Sequence, residues 1–276
     1  MEAAGKSGRL EKGEIAQAEL WRLAMVVGSG RVDVALYPPV AREEILWRSF
    51  QLNPEAPTPL KALEDIVYDN PLLLSDFKAV DCIIDNVAQT LMPTELDEDQ
   101  RRAVHLALDP QAGGETQMYP TGDPSVAVAL SQREDIHDFL CRTFYNAKFD
   151  SRLAALCRYF FGNTETDNSG WRFWAPIRDG RLTLIGARDG RLMVANNYES
   201  SAPTDAAYYI MASIVNLGAD PRQVRVALGG CGSPAPQVRA LIEPYVGGVD
   251  PLPFPTLRYR ATPSTLQAPI DLLIRH

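Results

Sequence analysis

No apolar run in these 276 residues approaches the roughly eighteen needed to cross a bilayer. The opening stretch, Met1 to Glu19, is charged and polar and lacks the apolar core of a signal peptide. Both absences point to a cytoplasmic chain with no membrane span. Histidine is scarce, with only His105, His137 and His276, which excludes a histidine-rich metal centre. The four cysteines, Cys82, Cys141, Cys157 and Cys231, have neither zinc-site spacing nor the density of a disulfide scaffold. They read as reduced thiols, mostly buried in apolar segments. Positive charge is also short. Lys and Arg number 27 against 35 Asp and Glu, a net charge of −8, which argues against a phosphate-backbone binder and leaves nucleic acid out of the expected partners. No Ser/His/Asp or Cys/His arrangement carries a local signature, so no catalytic residue and no metal ligand is assigned.

What the chain does have is apolar content, 46%, and length enough for two lobes or one large α/β unit. Residues 1–18 carry Gly5, Gly8, Gly13 and weakly periodic charges, and are expected to form a flexible lead-in. Strands are expected at 21–27, 31–37 and 45–52, the first two joined by Gly28-Ser29-Gly30. Leu60, Leu63, Ile66 and Val67 have helical spacing behind Pro59, a residue suited to the first helical turn. The run 79–84 resembles a buried parallel strand. Past it, the acidic stretch 95–99 opens a helix through Leu108, strands are expected at about 115–120 and 125–131, and helices at about 133–144 and 149–161.

Residues 171–199 form the clearest pattern. Trp171, Phe173, Ala175 and Ile177 alternate with Arg172, Trp174, Pro176 and Arg178, and Asp179-Gly180 and Asp189-Gly190 mark two-residue hairpin turns ten residues apart. Three antiparallel strands are therefore expected. Pro203 opens a helix that Gly218 and Pro221 stop, a strand follows at 224–228, then a helix at 236–245 and a proline-rich tail with a strand near 257–261. The two parts repeat one order: meander, proline-opened helix, short apolar strand, turn, helix. Trp21 and Trp171 are offset by 150 residues, while Pro59 with Pro203 and Val80 with Val224 are each offset by 144. Residue identity between the parts is negligible, so the repetition is one of element order.

A duplicated meander, helix, strand and helix resembles the actin-like ATPase superfamily, which includes sugar kinases and heat-shock ATPases. Thr90-Leu-Met-Pro-Thr-Glu-Leu96, Asn196-Asn-Tyr-Glu199, Thr204-Asp-Ala-Ala-Tyr-Tyr209 and Val226-Ala-Leu-Gly-Gly230 more closely resemble a bacterial domain-of-unknown-function family with a degenerate form of that fold. The resemblance implies an α/β fold of mixed sheets in two actin-like, ribonuclease-H-like halves. The first half, 19–162, would carry inserted strands and helices. The second, 163–276, would end in an irregular tail.

In active members of the superfamily, the turn between the first two strands of each half carries an Asp and a Gly that hold metal and phosphates. Here the first turn, Gly28-Ser29-Gly30, has no acid. Asp33 reads as a solvated edge residue, and Asp179-Gly180 is explained by hairpin geometry alone. Asp85, at the carboxyl end of its strand, could serve as a base, but a cap or turn role is the simpler one. The better candidate is Gly229-Gly230-Cys231-Gly232-Ser233, with Gly229, Gly230, Gly232 and Ser233 as the cofactor-binding set. In the superfamily it resembles, a strand ending in Gly-Gly before a helix lets backbone lie against an adenosine. It equally serves close packing between strand and helix. No cofactor is firmly implied, and ATP or ADP is the one this turn would admit.

Trp171, Phe173 and Trp174 could stack bases only beside a basic groove. Arg172, Arg178, Arg181, Arg188 and Arg191 read as the polar side of the meander, or as a site for an acidic protein partner. The expectation is a non-hydrolysing binding or assembly protein with vestigial or no nucleotide affinity and an unidentified protein partner. An active ATPase or small-molecule kinase using Asp85 or Asp179 with a metal is the alternative.

Overall fold

A computed structural model describes residues 8–40, 43–86, 89–108, 116–162, 170–230, 234–255 and 259–274. The first half starts with the expected meander, β1 (Arg22–Gly28), β2 (Arg31–Tyr37) and β3 (Leu46–Gln51). Helix α1 (Pro59–Asp69) follows, with the Thr58 hydroxyl accepting the Lys61 N–H at 3.0 Å, Pro59 in its first turn, and Ala62, Leu63, Ile66 and Val67 buried on one face. This is an N-cap in the ordinary sense, satisfying a donor the helix cannot. Strand β4 (Ala79–Asp85) then pairs parallel to β1, Arg22 opposite Ala79 and Gly28 opposite Asp85.

Between β4 and the last strand of this sheet lie β5 (Gln89–Pro93), α2 (Glu98–Leu108), β6 (Thr116–Pro120), β7 (Val126–Ser131) and α3 (Glu134–Thr143). Strands β5, β7 and β6 form a separate antiparallel sheet. Next come β8 (Lys148–Ser151), parallel to β4, and α4 (Arg152–Gly162). The sequence pattern assigns 149–161 to one helix; the first residues are instead recruited as a strand, because β4 would otherwise leave an edge unpaired.

The second half repeats the layout with β9 (Trp171–Arg178), β10 (Arg181–Arg188), β11 (Arg191–Glu199), α5 (Pro203–Asn216), β12 (Arg225–Gly229), α6 (Ala235–Ile242) and β13 (Gly248–Pro251). The two five-stranded sheets run β3-β2-β1-β4-β8 and β11-β10-β9-β12-β13, with antiparallel and parallel pairs in corresponding places. The fold is mixed α/β and duplicated, as the element order implies. Asp179 and Gly180, and Asp189 and Gly190, all have positive φ, the backbone a two-residue hairpin turn demands.

Both sheets are covered on both faces. Leu23, Met25 and Val27 of β1 join the core with α1 and α3, whereas Ala24 and Val26 pack with Ala35, Tyr37 and the chain end. That end is two short helices, α7 (Pro263–Leu266) and α8 (Ile270–Leu273), and Leu272 and Leu273 are fully buried. The Tyr37 hydroxyl donates to the Leu272 carbonyl, and the Trp47 indole donates to the Ser264 carbonyl at 2.9 Å. The strand expected near 257–261 is not found at 259–261, and 256–258 lie outside the described residues. The tail's ladder forms earlier, at β13, and the prolines at 251, 253 and 255 lack the N–H groups that would extend it.

On β9, Trp171, Phe173, Ala175 and Ile177 face α5 and α6, while Trp174 faces α4 and stacks on Phe160 with ring centroids 6.1 Å apart. These aromatics are buried, so they are not a base-stacking platform. Within the span expected as a flexible lead-in, Leu10 is buried, and its N–H donates to the Asn70 side chain at 2.7 Å. Among the described residues no helix is long and apolar enough to cross a membrane. Cys82 and Cys157 are buried, which pushes both thiols up to about 12; Cys141 is exposed and Cys231 lies outside the described residues.

Packing inside β10 is tight at Gly186, where an added Cβ would lie 2.6 Å from the Phe173 ring and 2.8 Å from Val194. We predict that Gly186→Ala destabilises the protein by about 1–3 kcal/mol. Urea denaturation of the variant beside the parent measures it, and an unchanged midpoint would show that the meander yields there.

Candidate functional site: an arginine-locked cleft between the halves

The alternation that buries Val32, Val34 and Leu36 on one face of β2 turns Asp33 to the other. That face is not solvent. It meets the second half, where Arg178 on β9 and Arg181 on β10 point back from the face that carries Trp174 and Ile185. Asp33 is 2% exposed. It accepts two hydrogen bonds from Arg178, Nη1 to Oδ2 at 2.8 Å and Nη2 to Oδ1 at 3.0 Å, and a third from the Ser49 hydroxyl at 2.6 Å. Such a fork is the strongest geometry available to an Arg–carboxylate pair.

Asp33 is therefore not a solvated edge residue. The alternating pattern of β2 is real, but the surface it faces is supplied by residues about 145 positions away.

The pairing extends around the cleft. Arg31, beside the Gly28-Ser29-Gly30 turn, lies 3.3 Å from Asp33 and also pairs with Asp179 in the corresponding turn of the second half. Arg178 Nε reaches Asp179 at 3.0 Å. Arg181 donates to Asp85 Oδ2 at 2.8 Å, so the acid at the end of β4 is tied to the opposite half.

Deeper in, buried Arg152 at the start of α4 donates to Asp271 at 2.8 Å and to the Thr183 hydroxyl at 2.9 Å, and Thr183 in turn donates to Asn197 at 2.8 Å. Burial alone would favour neutral Arg152, but Asp271, Asp85 and Asp33 outweigh it and hold the guanidinium charged above its ordinary range. The cleft has a volume of about 320 Å³. Four carboxylates (Asp33, Asp85, Asp179, Asp271) and four guanidiniums (Arg31, Arg152, Arg178, Arg181) line it, and each has a partner of opposite charge.

These residues do not fit a magnesium nucleotide. The first turn contributes no acid, and the acid of the second is held between two guanidiniums. A phosphate would meet arginines that are already neutralised.

Next to this lies a more apolar cavity of about 290 Å³. Gly229 and Gly230 line it, facing Pro251 to Phe254 and the Leu266–Asp271 segment of the tail. Gly230 has φ 141°, and a Cβ there would collide with the Ile177 carbonyl. The turn is pressed against β9, so glycine is needed at Gly230 whatever occupies the cavity. At Gly229 the nearest atoms to an added Cβ belong to the Leu252 side chain, at 3.1 Å. Gly232 and Ser233 lie outside the described residues.

Of the five meander arginines, two are thus internal cross-links. Arg188 pairs with Asp189 and lies over the Trp171 ring at 5.4 Å, so it too has local partners.

A family described as "Protein of unknown function (DUF3822)" matches residues 11–249. The chain belongs to this family. No curated protein matches the sequence. Among solved structures, the DUF3822 chain is similar to a protein of Bacteroides thetaiotaomicron described as having an actin-like ATPase fold and unknown function. The two share 15% identity with a TM-score of 0.77, over 96% of this chain and 98% of that one. The fold of this DUF3822 protein is accordingly the actin-like ATPase fold.

More distant are a PilM–PilN type IV pilus biogenesis complex, at 10% identity, TM-score 0.48, and 84% and 88% coverage, and the ethanolamine utilization protein EutJ from Carboxydothermus hydrogenoformans, at 9%, 0.42, and 96% and 92%. At such scores these two do not bear on this chain's role.

Two predictions follow from the geometry. Arg178→Met and Asp33→Asn should each cost up to about 3 kcal/mol, because each removes the forked partner of a largely buried charge and leaves it only the weaker pairing to Arg31 or Asp179. The double variant should cost less than the sum, with a coupling of about 2 kcal/mol. Denaturation of the four proteins measures this, and additive losses would mean that the fork contributes nothing. Gly230→Ala should cost about 3 kcal/mol or more and Gly229→Ala about 1 kcal/mol; equal losses would contradict the packing of Gly230 on Ile177.

Proposed function

We propose that this protein is a non-hydrolysing member of the actin-like fold that acts through binding or assembly, its two halves held in register by arginine–aspartate pairs rather than by nucleotide. The observation that carries this reading is the forked Arg178–Asp33 pair, flanked by Arg31–Asp179 and Arg181–Asp85. In active superfamily members, the two turns that approach here would hold metal and phosphates. In this chain they hold each other. Nucleotide affinity at the Gly229–Gly230 cavity would then be vestigial, and the working surface would be one that a partner protein recognises on a halves-closed body. A protein of this kind keeps the fold's shape while giving up its cycle.

The test is a thermal-shift titration with ATP and ADP, with and without magnesium. A ligand that binds only the folded state raises the melting temperature by mass action. With about 5 mM Mg-ATP, the expected shift is under about 1 °C. Phosphate release should stay at background. A magnesium-dependent rise of several degrees, or hydrolysis abolished by Asp179→Asn in a variant that keeps its fold, would overturn the reading and restore an enzyme.

A further inference from the structure

The duplication supplies an internal comparison. Helices α1 and α3 cover one face of the first sheet, and α5 and α6 cover the corresponding face of the second. The two layers differ in charge. Helices α1 and α3 each carry four charged side chains, in 11 and 10 residues, as solvent-facing helices do. Helices α5 and α6 carry one each, Asp205 and Arg239, in 14 and 8 residues. Both are satisfied within the chain: Asp205 accepts the Ala202 N–H at 2.9 Å, and Arg239 pairs with Glu243 at 3.1 Å and donates to the Val249 carbonyl.

In place of charge, the outer side of this layer presents large apolar groups. Ala206, Ala207, Ile210 and Ile214 turn inward on α5, so Tyr208 and Val215, about two turns apart, share its outer side at 67% and 60% exposure. Leu241 on α6 and Tyr245 just beyond it are exposed as well. Tyr208 is backed by other rings. It meets Tyr209 edge-on at 5.4 Å, and Tyr209 stacks on Tyr198 of β11 at 4.5 Å. An aromatic braced in this way has little freedom left to lose on docking, which suits it to anchor an interface.

We propose that the α5–α6 face binds a second copy of this chain about a two-fold axis. Two-fold pairing lays a surface against itself, so a net charge on it would be repelled by its own image. On this face Arg239 is matched by Glu243, and Asp205 lies in the first turn of α5, where a helix already favours a carboxylate. A partner chosen by charge of either sign finds nothing here to pair with. An equally neutral apolar face does, and a second copy brings one.

The size of the face fits reversible pairing. A helix of 14 residues is about 21 Å long, and two packed helices span about 20 Å. Such a patch would bury about 1,000 Å² summed over both copies, the lower end of specific interfaces, with a dissociation constant in the micromolar range. The pairing goes beyond the reading of the charged cleft and is independent of it, because Arg178 and Arg181 project from the opposite face of the second sheet.

The experiment is sedimentation velocity on the full chain, without nucleotide, from about 1 to 500 μM. The expected result is a concentration-dependent doubling of mass that stops at the dimer, with its midpoint below about 100 μM. Tyr208→Glu and Val215→Glu place like charges across the pairing and should each raise that midpoint at least about tenfold. Tyr145→Glu, at a side chain 88% exposed in the link from α3 to β8, should leave it unchanged. Tyr208 and Val215 are already in water in the monomer, so an unchanged melting temperature in dilute solution separates lost pairing from lost folding.

A monomer throughout the range would overturn the inference and leave the face to a different protein. So would a dimer that survives both α5 substitutions, or species that grow past the dimer, since a two-fold pairing closes on itself.

Discussion

The fork from Arg178 to Asp33 joins two chain segments 145 residues apart and almost fully excludes water from the carboxylate. Taking both charges out of water is costly, and their attraction offsets this only when the geometry is good and the remaining lone pairs are satisfied. Both conditions hold here, with two parallel N–H···O bonds and a hydroxyl on the same carboxylate. The net gain in stability from such a pair is commonly small. What it supplies is register: a guanidinium fork accepts one approach of its carboxylate, so the two sheets are fixed relative to each other. Arg31, bound to both Asp33 and Asp179, makes the same demand from the opposite side. Arg152 and its partners repeat it at the floor of the cleft, where the tail contributes Asp271.

The tail's role follows from this arrangement. Tyr37 and Trp47 hydrogen-bond to backbone carbonyls of 264–272, and Leu272 and Leu273 fill the face of β1 and β2 that would otherwise be open below the cleft. Asp271 leaves the same short helix to meet Arg152. One segment therefore closes the apolar layer and completes the charge balance. Its prolines fit that task, since they restrict a chain that must follow the surface without adding to a sheet.

Much of the fold is legible in local pattern. The Asp-Gly pairs set two turns with the required positive φ, and the near-constant offset between Pro59 and Pro203, and between Val80 and Val224, anticipates two sheets of identical order. The cleft was less legible because its chemistry is non-local. Asp33 looks like a solvent-facing residue when β2 is read by alternation. Yet β1, Leu23 to Val27, is a continuous apolar run, the mark of a strand covered on both faces. That run was the available signal that the neighbouring Asp33 would be buried and would need a cation. Strands β8 and β13 escaped notice for a related reason. Each is four residues long and is a strand only because a parallel neighbour offers an edge.

The Gly229–Gly230 turn shows why a glycine motif alone could not decide the matter. Gly230 is required by the approach of its backbone to Ile177, a constraint of the fold that persists with or without a ligand. At Gly229 the nearest atoms to an added Cβ are those of a movable Leu252 side chain, so the backbone there is less tightly constrained than at Gly230. For phosphate the competition is more severe. A guanidinium in this cleft would have to share its donors between a phosphate and carboxylates that the fold already holds at hydrogen-bond distance, and those carboxylates would repel the incoming charge. The intramolecular partner also needs no immobilisation, whereas the nucleotide must lose its freedom on arrival. On the function proposed, an acid–arginine exchange between two turns would convert a surface that responds to nucleotide into one that keeps its shape without it.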